Sequence, residues 1–392
     1  MTVNKAKFKR LLRDGHATFF TNEVKNGYFW RLHLDNIRNF NLTFDRIYKE
    51  IKRNPSKSKI KRTWFGWKVL WGGLRAKAIG VCYRRVGDNL PPPVEVAAMY
   101  TSNKIGEMRI YDVDQEALQA FQNTNIQVIV GVLNENLPSI ASSQDTTNQW
   151  VAANIQPHYP KIQFKYISVG NEILPDTSFT TNLLPAMKNI YTALQSLNLQ
   201  DQIKVSTTMP MSVLSNSYPP SAGTFSPNII PIISPILNFL SQTKSPFLAH
   251  VYTYFAYISD PKDISLAYAL FQMETPNDVG YKNLFDASVD ALIYAMEALG
   301  HLDIPIVIAE SGWPYDGNPN GGANVSNAQT YNNNFIKHVL SGEGTPRRPN
   351  QIIEAFVFAM FNENLKPGDL TEKHFGLFQP TKEPVYPVNF KG

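Results

Sequence analysis

The feature that most constrains this chain is an alternation. Eight short apolar or β-branched runs recur along it: Ile79–Tyr83, Met108–Tyr111, Ile126–Val132, Phe164–Val169, Ile203–Thr207, Phe247–Tyr252, Ile304–Ile308 and Ile352–Ala359. They lack a clean polar–apolar alternation, which predicts strands buried on both faces. Segments with helical spacing separate most of them, namely Val94–Tyr100, Glu116–Phe121, Asn148–Ile155, Leu183–Leu197, Ala287–Leu299 and Ala328–Leu340. Strand and helix alternating in this way, with no low-complexity linker, predict an α/β protein. The favoured form is a closed (β/α)8 TIM barrel rather than an open doubly wound sheet. The chain also lacks a glycine-rich phosphate fingerprint, which weakens the dinucleotide-binding alternative.

Composition limits the other classes. Of the 392 residues, 43% are hydrophobic and 18% charged, which suits a core-forming chain and excludes wholesale disorder. Cys82 is the single cysteine, so neither an intrachain disulfide nor a cysteine-based metal cluster can form. The seven histidines show no metal-ligand spacing, and no metal or cofactor is expected. No apolar run approaches the ~18 residues of a membrane span, so no transmembrane segment is expected.

The net charge of +5 conceals two opposite pieces. Residues 1–75 carry 18 Lys and Arg against 5 Asp and Glu, a net of +13; the remainder carries 19 against 27, a net of −8. Such asymmetry is a boundary signal. It predicts a basic extension of uncertain structure over residues 1–78 and the barrel domain over residues 79–392. The extension, with a helix-compatible stretch at Phe44–Ile51, reads as a weakly ordered segment or as an arm for nucleic acid. A third reading is a displaced export signal, because basic residues 57–62, apolar residues 64–74 and the A-x-A pattern Ala76-Lys77-Ala78 stand in the order of a signal peptide.

In a parallel barrel, chemistry sits at the C-terminal ends of the strands. The fourth run ends in Val169-Gly170-Asn171-Glu172 and the seventh in Ala309-Glu310-Ser311-Gly312-Trp313-Pro314, so both feed one mouth a glutamate. Two carboxylates on one cleft are the minimum equipment for glycoside hydrolysis: one donates a proton, and the other attacks carbon or activates water. Asn171 can donate an amide hydrogen bond to a sugar hydroxyl, and Trp313 offers a flat face for a pyranose ring. Other strand ends supply Tyr83, Tyr111 with Asp112, and Tyr252 with Tyr254 and Phe255. For such aromatics, core packing competes with lining a carbohydrate cleft.

The stretch IGVCYRRVGDNLPPPVEV, followed in order by MRIYD, YISVGNEILP, VYTYFAYISDP, IPIVIAESGWP, GGANVSNAQTYNNNFIKHV and FAMFNENLKPG…EKHFGLFQP, resembles the plant β-1,3-glucanases of glycoside hydrolase family 17. The resemblance spans residues 79–390. It implies a barrel of the two-glutamate clan and retaining, endo-acting hydrolysis of β-1,3-glucan. By motif, Glu172 resembles the family's proton donor and Glu310 its nucleophile, while Glu363 and Lys366 match its supporting pair. Three departures stand out: Arg84 where the family has glycine, Thr253 where proline is usual, and Asn362 where aspartate is common. Tyr252 is expected to hydrogen-bond Glu310 and hold it ionised.

A glucan-binding wall protein with little turnover and a 1,3;1,4-β-glucanase are the alternative readings. The resemblance implies an extracellular, wall or vacuolar location. The expected partner of the acidic domain is an uncharged polysaccharide rather than nucleic acid, and a monomer is expected. Asn41-Leu42-Thr43 and Asn324-Val325-Ser326 are glycosylation sequons.

Overall fold

The structure is a computed structural model and describes residues 18–24, 27–33, 79–174 and 178–392. The chain divides into two units, residues 1–76 and 77–392. In the first, strands β1 (Thr18–Val24) and β2 (Gly27–His33) pair antiparallel, with Thr18 opposite His33. The stretch 44–51, the export-signal-like residues 57–78 and the sequon at Asn41 lie outside the described residues.

The second unit follows the predicted alternation. Its strands are β3 (Gly80–Cys82), β4 (Glu107–Ile110), β5 (Gln127–Val132), β6 (Gln163–Asn171) and β7 (Lys204–Pro210), then β8 (Leu214–Asn216) and β9 (Thr224–Phe225), then β10 (Phe247–His250), β11 (Ile306–Ser311) and β12 (Glu354–Val357). All but β8 and β9 close into an eight-stranded barrel in the order β3-β4-β5-β6-β7-β10-β11-β12. Every pairing is parallel, and the seam joins Phe356 to Gly80 and Val357 to Val81. Each barrel strand overlaps one of the eight runs.

The helices among the described residues are α1 (Pro93–Ser102), α2 (Gln115–Ala120), α3 (Leu137–Ser142), α4 (Gln144–Asn154), α5 (Thr180–Ser196), α6 (Ile230–Thr243), α7 (Thr253–Ser259), α8 (Leu266–Ala269), α9 (Leu284–Ala298) and α10 (Val325–Ser341). Several begin on side-chain caps. Asp114, Ser143, Asn283 and Asn324 each accept from a backbone N–H three residues on, satisfying a donor the helix leaves open. The sequence reading missed α6, where Pro231 and Pro235 look like helix breakers. Both sit within its first six residues, and burial of Ile233, Ile236, Leu237 and Leu240 outweighs the weak local propensity.

Two apolar clusters explain why the strands lack alternation. One, between sheet and helices, includes Val81, Met108, Val128, Ile167, Val205 and Ile308. The other fills the barrel with Cys82, Ile129, Tyr166, Leu248, Val307 and Phe356. Gly80 makes room for that filling, because a Cβ there would lie 2.2 Å from the Phe356 ring.

Glu107 and Glu354, the first residues of β4 and β12, form a polar cluster at the N-terminal end of the barrel. Lys165 Nζ lies 2.8 Å from Glu107 Oε1 and 2.6 Å from Glu354 Oε2, which also accepts from the Tyr166 hydroxyl at 3.0 Å. Burial, reinforced by Glu354 and opposed by Lys165, pushes Glu107 up to about 7.

Candidate active site

Three barrel strands, β4, β10 and β11, converge on one buried carboxylate at the opposite end. Glu310, on β11, is buried, yet three donors reach it. Arg109 Nη1 donates to its Oε1 at 2.8 Å, and so does the Tyr111 hydroxyl at 2.5 Å. The Tyr252 hydroxyl donates to Oε2 at 2.7 Å, as its position predicted. His250 Nε2 lies 3.0 Å from Oε1. Burial alone would raise this carboxyl, but His250 and Arg109 outweigh it and hold Glu310 well below the usual carboxylate range.

Glu172 has a different setting. It directly follows β6 in the left-handed region, with φ of 52°, an uncommon backbone for a residue other than glycine. The surroundings fix it there. Its N–H donates to the Thr208 carbonyl at 3.0 Å, while the preceding Asn171 is clasped by Asn134, which accepts from its N–H at 2.8 Å and donates to its carbonyl at 3.0 Å. The Glu172 side chain is 43% exposed, and His250 Nδ1 lies 2.8 Å from its Oε1. One imidazole therefore touches both glutamates.

Arg109, fully buried on β4, ties the site together. Its Nη2 donates to Asn171 Oδ1 at 2.6 Å and Thr208 Oγ1 at 3.3 Å, while Nη1 also reaches the Ala309 carbonyl at 3.0 Å and His250 Nε2 at 2.6 Å. Holding Asn171 by its oxygen leaves the amide Nδ2 as its donor for a ligand. The sequence reading missed Arg109 and His250. Their signal was a charged and a titratable residue inside otherwise apolar strands, MRI and FLAH, near the strand ends.

The aromatic expectations divide. Tyr111 and Tyr252 hold Glu310, while Phe255, 37% exposed, packs edge-on against Tyr252 with ring centroids 5.5 Å apart. Trp313 has no face for a sugar. It is fully buried, packed by Tyr254, Tyr257 and Tyr331, with Nε1 donating to the Gly322 carbonyl at 2.9 Å. Tyr83 and Tyr254 are buried likewise, so these three shape the lip by packing beneath it.

Glu363 is buried with no hydrogen-bond partner on either oxygen. The nearest cations are Lys366 Nζ at 3.6 Å and Arg84 Nε at 3.7 Å, and Lys366 makes its closer ion pair with Glu372 at 2.8 Å. Burial pushes Glu363 up to about 7, with Lys366 and Arg84 opposing and Glu310 adding to the rise.

Arg84 also lies over the Tyr111 ring, 5.1 Å from its centroid. With Arg109, Tyr111, Asn134 and Asn171 it lines a cleft of about 180 Å³. Thr253 is accommodated at the start of α7, its hydroxyl donating to the Ala269 carbonyl at 3.0 Å. Asn362 donates to the Tyr315 hydroxyl at 2.6 Å and accepts from the Gly376 N–H at 3.0 Å.

A parallel barrel that sets two carboxylates of unlike environment on one mouth has the form of a glycoside hydrolase. The description Glycosyl hydrolases family 17 matches residues 79–390. A tobacco (Nicotiana tabacum) protein named glucan endo-1,3-beta-glucosidase, acidic isoform GL161, is 45% identical over 319 residues, covering 81% of this chain and 96% of that one. The structure of CJP38, a beta-1,3-glucanase and allergen of Cryptomeria japonica pollen, superposes with a TM-score of 0.77 at 52% identity, covering 80% of this chain and 99% of that one. A plant beta-glucan endohydrolase, one of two described as having distinct substrate specificities, gives a TM-score of 0.75 at 42% identity over 80% of this chain and all of that one. This chain belongs to glycosyl hydrolase family 17.

Proposed function

We propose that the chain cleaves internal β-1,3 linkages of a β-glucan with retention of configuration, Glu310 acting as nucleophile and Glu172 as proton donor. The observation that carries this reading is the unequal setting of the two carboxylates. A nucleophile must be ionised before substrate arrives, and Glu310 has two hydroxyl donors and a guanidinium aimed at it. A proton donor must reach the leaving oxygen and then water, and Glu172 stands on the open side of the site.

In the first step Glu310 attacks the anomeric carbon while Glu172 gives its proton to the departing oxygen. In the second, Glu172 takes a proton from water, which attacks the same carbon and releases Glu310. Asn171 Nδ2 supplies a donor for a sugar hydroxyl beside the reacting centre, and Phe255 offers the exposed ring on the lip. The family relatives named above support β-1,3-glucan as substrate. The net −8 outside residues 1–75 suits an uncharged ligand, the site is complete within one chain, and wall or vacuole is where such a glucan would be met.

Laminarin digestion tests the reading. The first-formed reducing ends should be β-configured, and Glu310→Gln should abolish release. An α-configured first product, or a fully active Glu310→Gln enzyme, would overturn the assignment.

A further inference from the structure

Among the described residues, His250 is the one side chain whose two ring nitrogens lie within 3.0 Å of the two glutamates, one nitrogen to each. Its tautomer follows from its neighbours. Arg109 Nη1 stands 2.6 Å from Nε2, and a guanidinium has donors only. In the neutral ring Nε2 therefore presents its lone pair, since a proton there would set two donors against each other at 2.6 Å; burial opposes the imidazolium but Glu310 outweighs it and raises His250, and in that cation Nδ1 carries a proton as well. The ring proton then lies on Nδ1, which donates to Glu172 Oε1 at 2.8 Å. The 3.0 Å approach of Nε2 to Glu310 Oε1 is spanned by the same Nη1, which donates to both. The Tyr252 ring stands edge-on to the imidazole with centroids 6.4 Å apart, and Arg109 Nη2 holds Asn171 and Thr208.

We propose that His250 is a positioning residue for acid catalysis: its Nδ1–H occupies Oε1 of Glu172, so the transferable proton resides on Oε2. Arg109 sets the tautomer, and the same guanidinium holds the nucleophile, so one cation orients both carboxylates. The proposal rests on Glu172 being the proton donor. It adds how the proton is confined to one oxygen, and it predicts that in the first step His250 matters only where the leaving group needs that proton.

The test compares substrates of unequal leaving-group demand. Laminarin requires protonation, whereas an aryl β-laminaribioside with a dinitrophenolate leaving group departs without it. His250→Ala should lose roughly 10–100-fold in kcat/KM on laminarin, part of the ~10²–10⁴ that a positioned acid supplies, and less than about 3-fold in kcat/KM on the aryl glycoside, since kcat/KM reports only the step that expels the leaving group. His250→Asn places an amide donor near Nδ1 and should recover most of the loss, while His250→Gln places its amide near Nε2 and should not.

Equal losses on both substrates would overturn the proposal, because the effect would then act on the nucleophile or the fold. Better rescue by Gln than by Asn would overturn it as well. Failure of the underlying assignment looks different: the unmodified enzyme would then release no sugar from laminarin.

Discussion

Replacing Glu107 by glutamine should make the protein more stable at alkaline pH, although it removes one partner of a buried ion pair. Glu107 stands at about 7 in the fold, against an ordinary value of 4.5. A carboxyl raised on folding costs nothing while protonated in both states. The cost grows as pH rises above the unfolded value and is complete above the folded one. A rise of about 2.5 units at ~1.36 kcal/mol each gives a penalty of at most about 3 kcal/mol, developed between pH 4.5 and 7. Lys165 keeps Glu354 at 2.6 Å in the variant, and the new amide oxygen can still accept from it, so no buried cation is stranded. That figure is already net of the attraction and hydrogen bond from Lys165, both of which lower Glu107. Urea unfolding of both proteins at pH 4.5 and pH 8.5 isolates the pH-dependent part. The difference in stability between variant and parent should move in the variant's favour by about 2–3 kcal/mol from the lower pH to the higher. If that difference is the same at both pH values, Glu107 is not raised, and Lys165 balances burial; a shift in the parent's favour would mean that Lys165 outweighs it.

Three further outcomes follow from the site. Tyr252→Phe removes the 2.7 Å donor to Glu310 and should lower kcat by roughly 10–100-fold with little change in KM, since a hydrogen bond to a charged group is worth ~1.5–3 kcal/mol; an unchanged kcat would refute its role. The same change raises Glu310 towards ordinary carboxylates, so the acid limb of the pH–rate profile should move up if Glu310 sets it. Phe255→Ala should raise KM for laminarin severalfold with little effect on stability, because the ring is partly exposed; steady-state kinetics decide it. Gly131→Ala would place a Cβ 2.0 Å from the Tyr111 carbonyl oxygen and should cost roughly 1–3 kcal/mol of stability along with most activity, measured by urea unfolding and laminarin turnover.

The fold was largely legible because a barrel strand buried on both faces leaves a contiguous apolar run, and all eight left one. Helices with a clean apolar stripe were equally visible. Less visible were α6, whose prolines disguise its buried face, and the small β8–β9 ribbon, which is too short for any periodicity. Of the site, the two glutamates could be read because each directly follows or ends a strand in a distinctive motif. The roles of the aromatics could not. Trp313 and Tyr252 belong to the same class of side chain, yet one is sealed under three tyrosines and the other donates to Glu310, a difference set by packing between distant segments. Arg109 and His250 were passed over because a lone charge in an apolar run acquires meaning only through what faces it across the barrel.

The seam between β12 and β3 limits how the chain can be trimmed. Gly80–Cys82 is both the first strand of the second unit and the strand that closes the ring, paired on one side to β4 and on the other to β12. A protease removing the basic leader can advance to Ile79 without breaking a ladder of the barrel. A few residues further and the ring becomes a seven-stranded sheet with two open edges, prone to pair with other chains. It would also lose Cys82 and the filling beneath Phe356. The shortest form that keeps the active site therefore begins at about residue 79, whichever enzyme does the cutting.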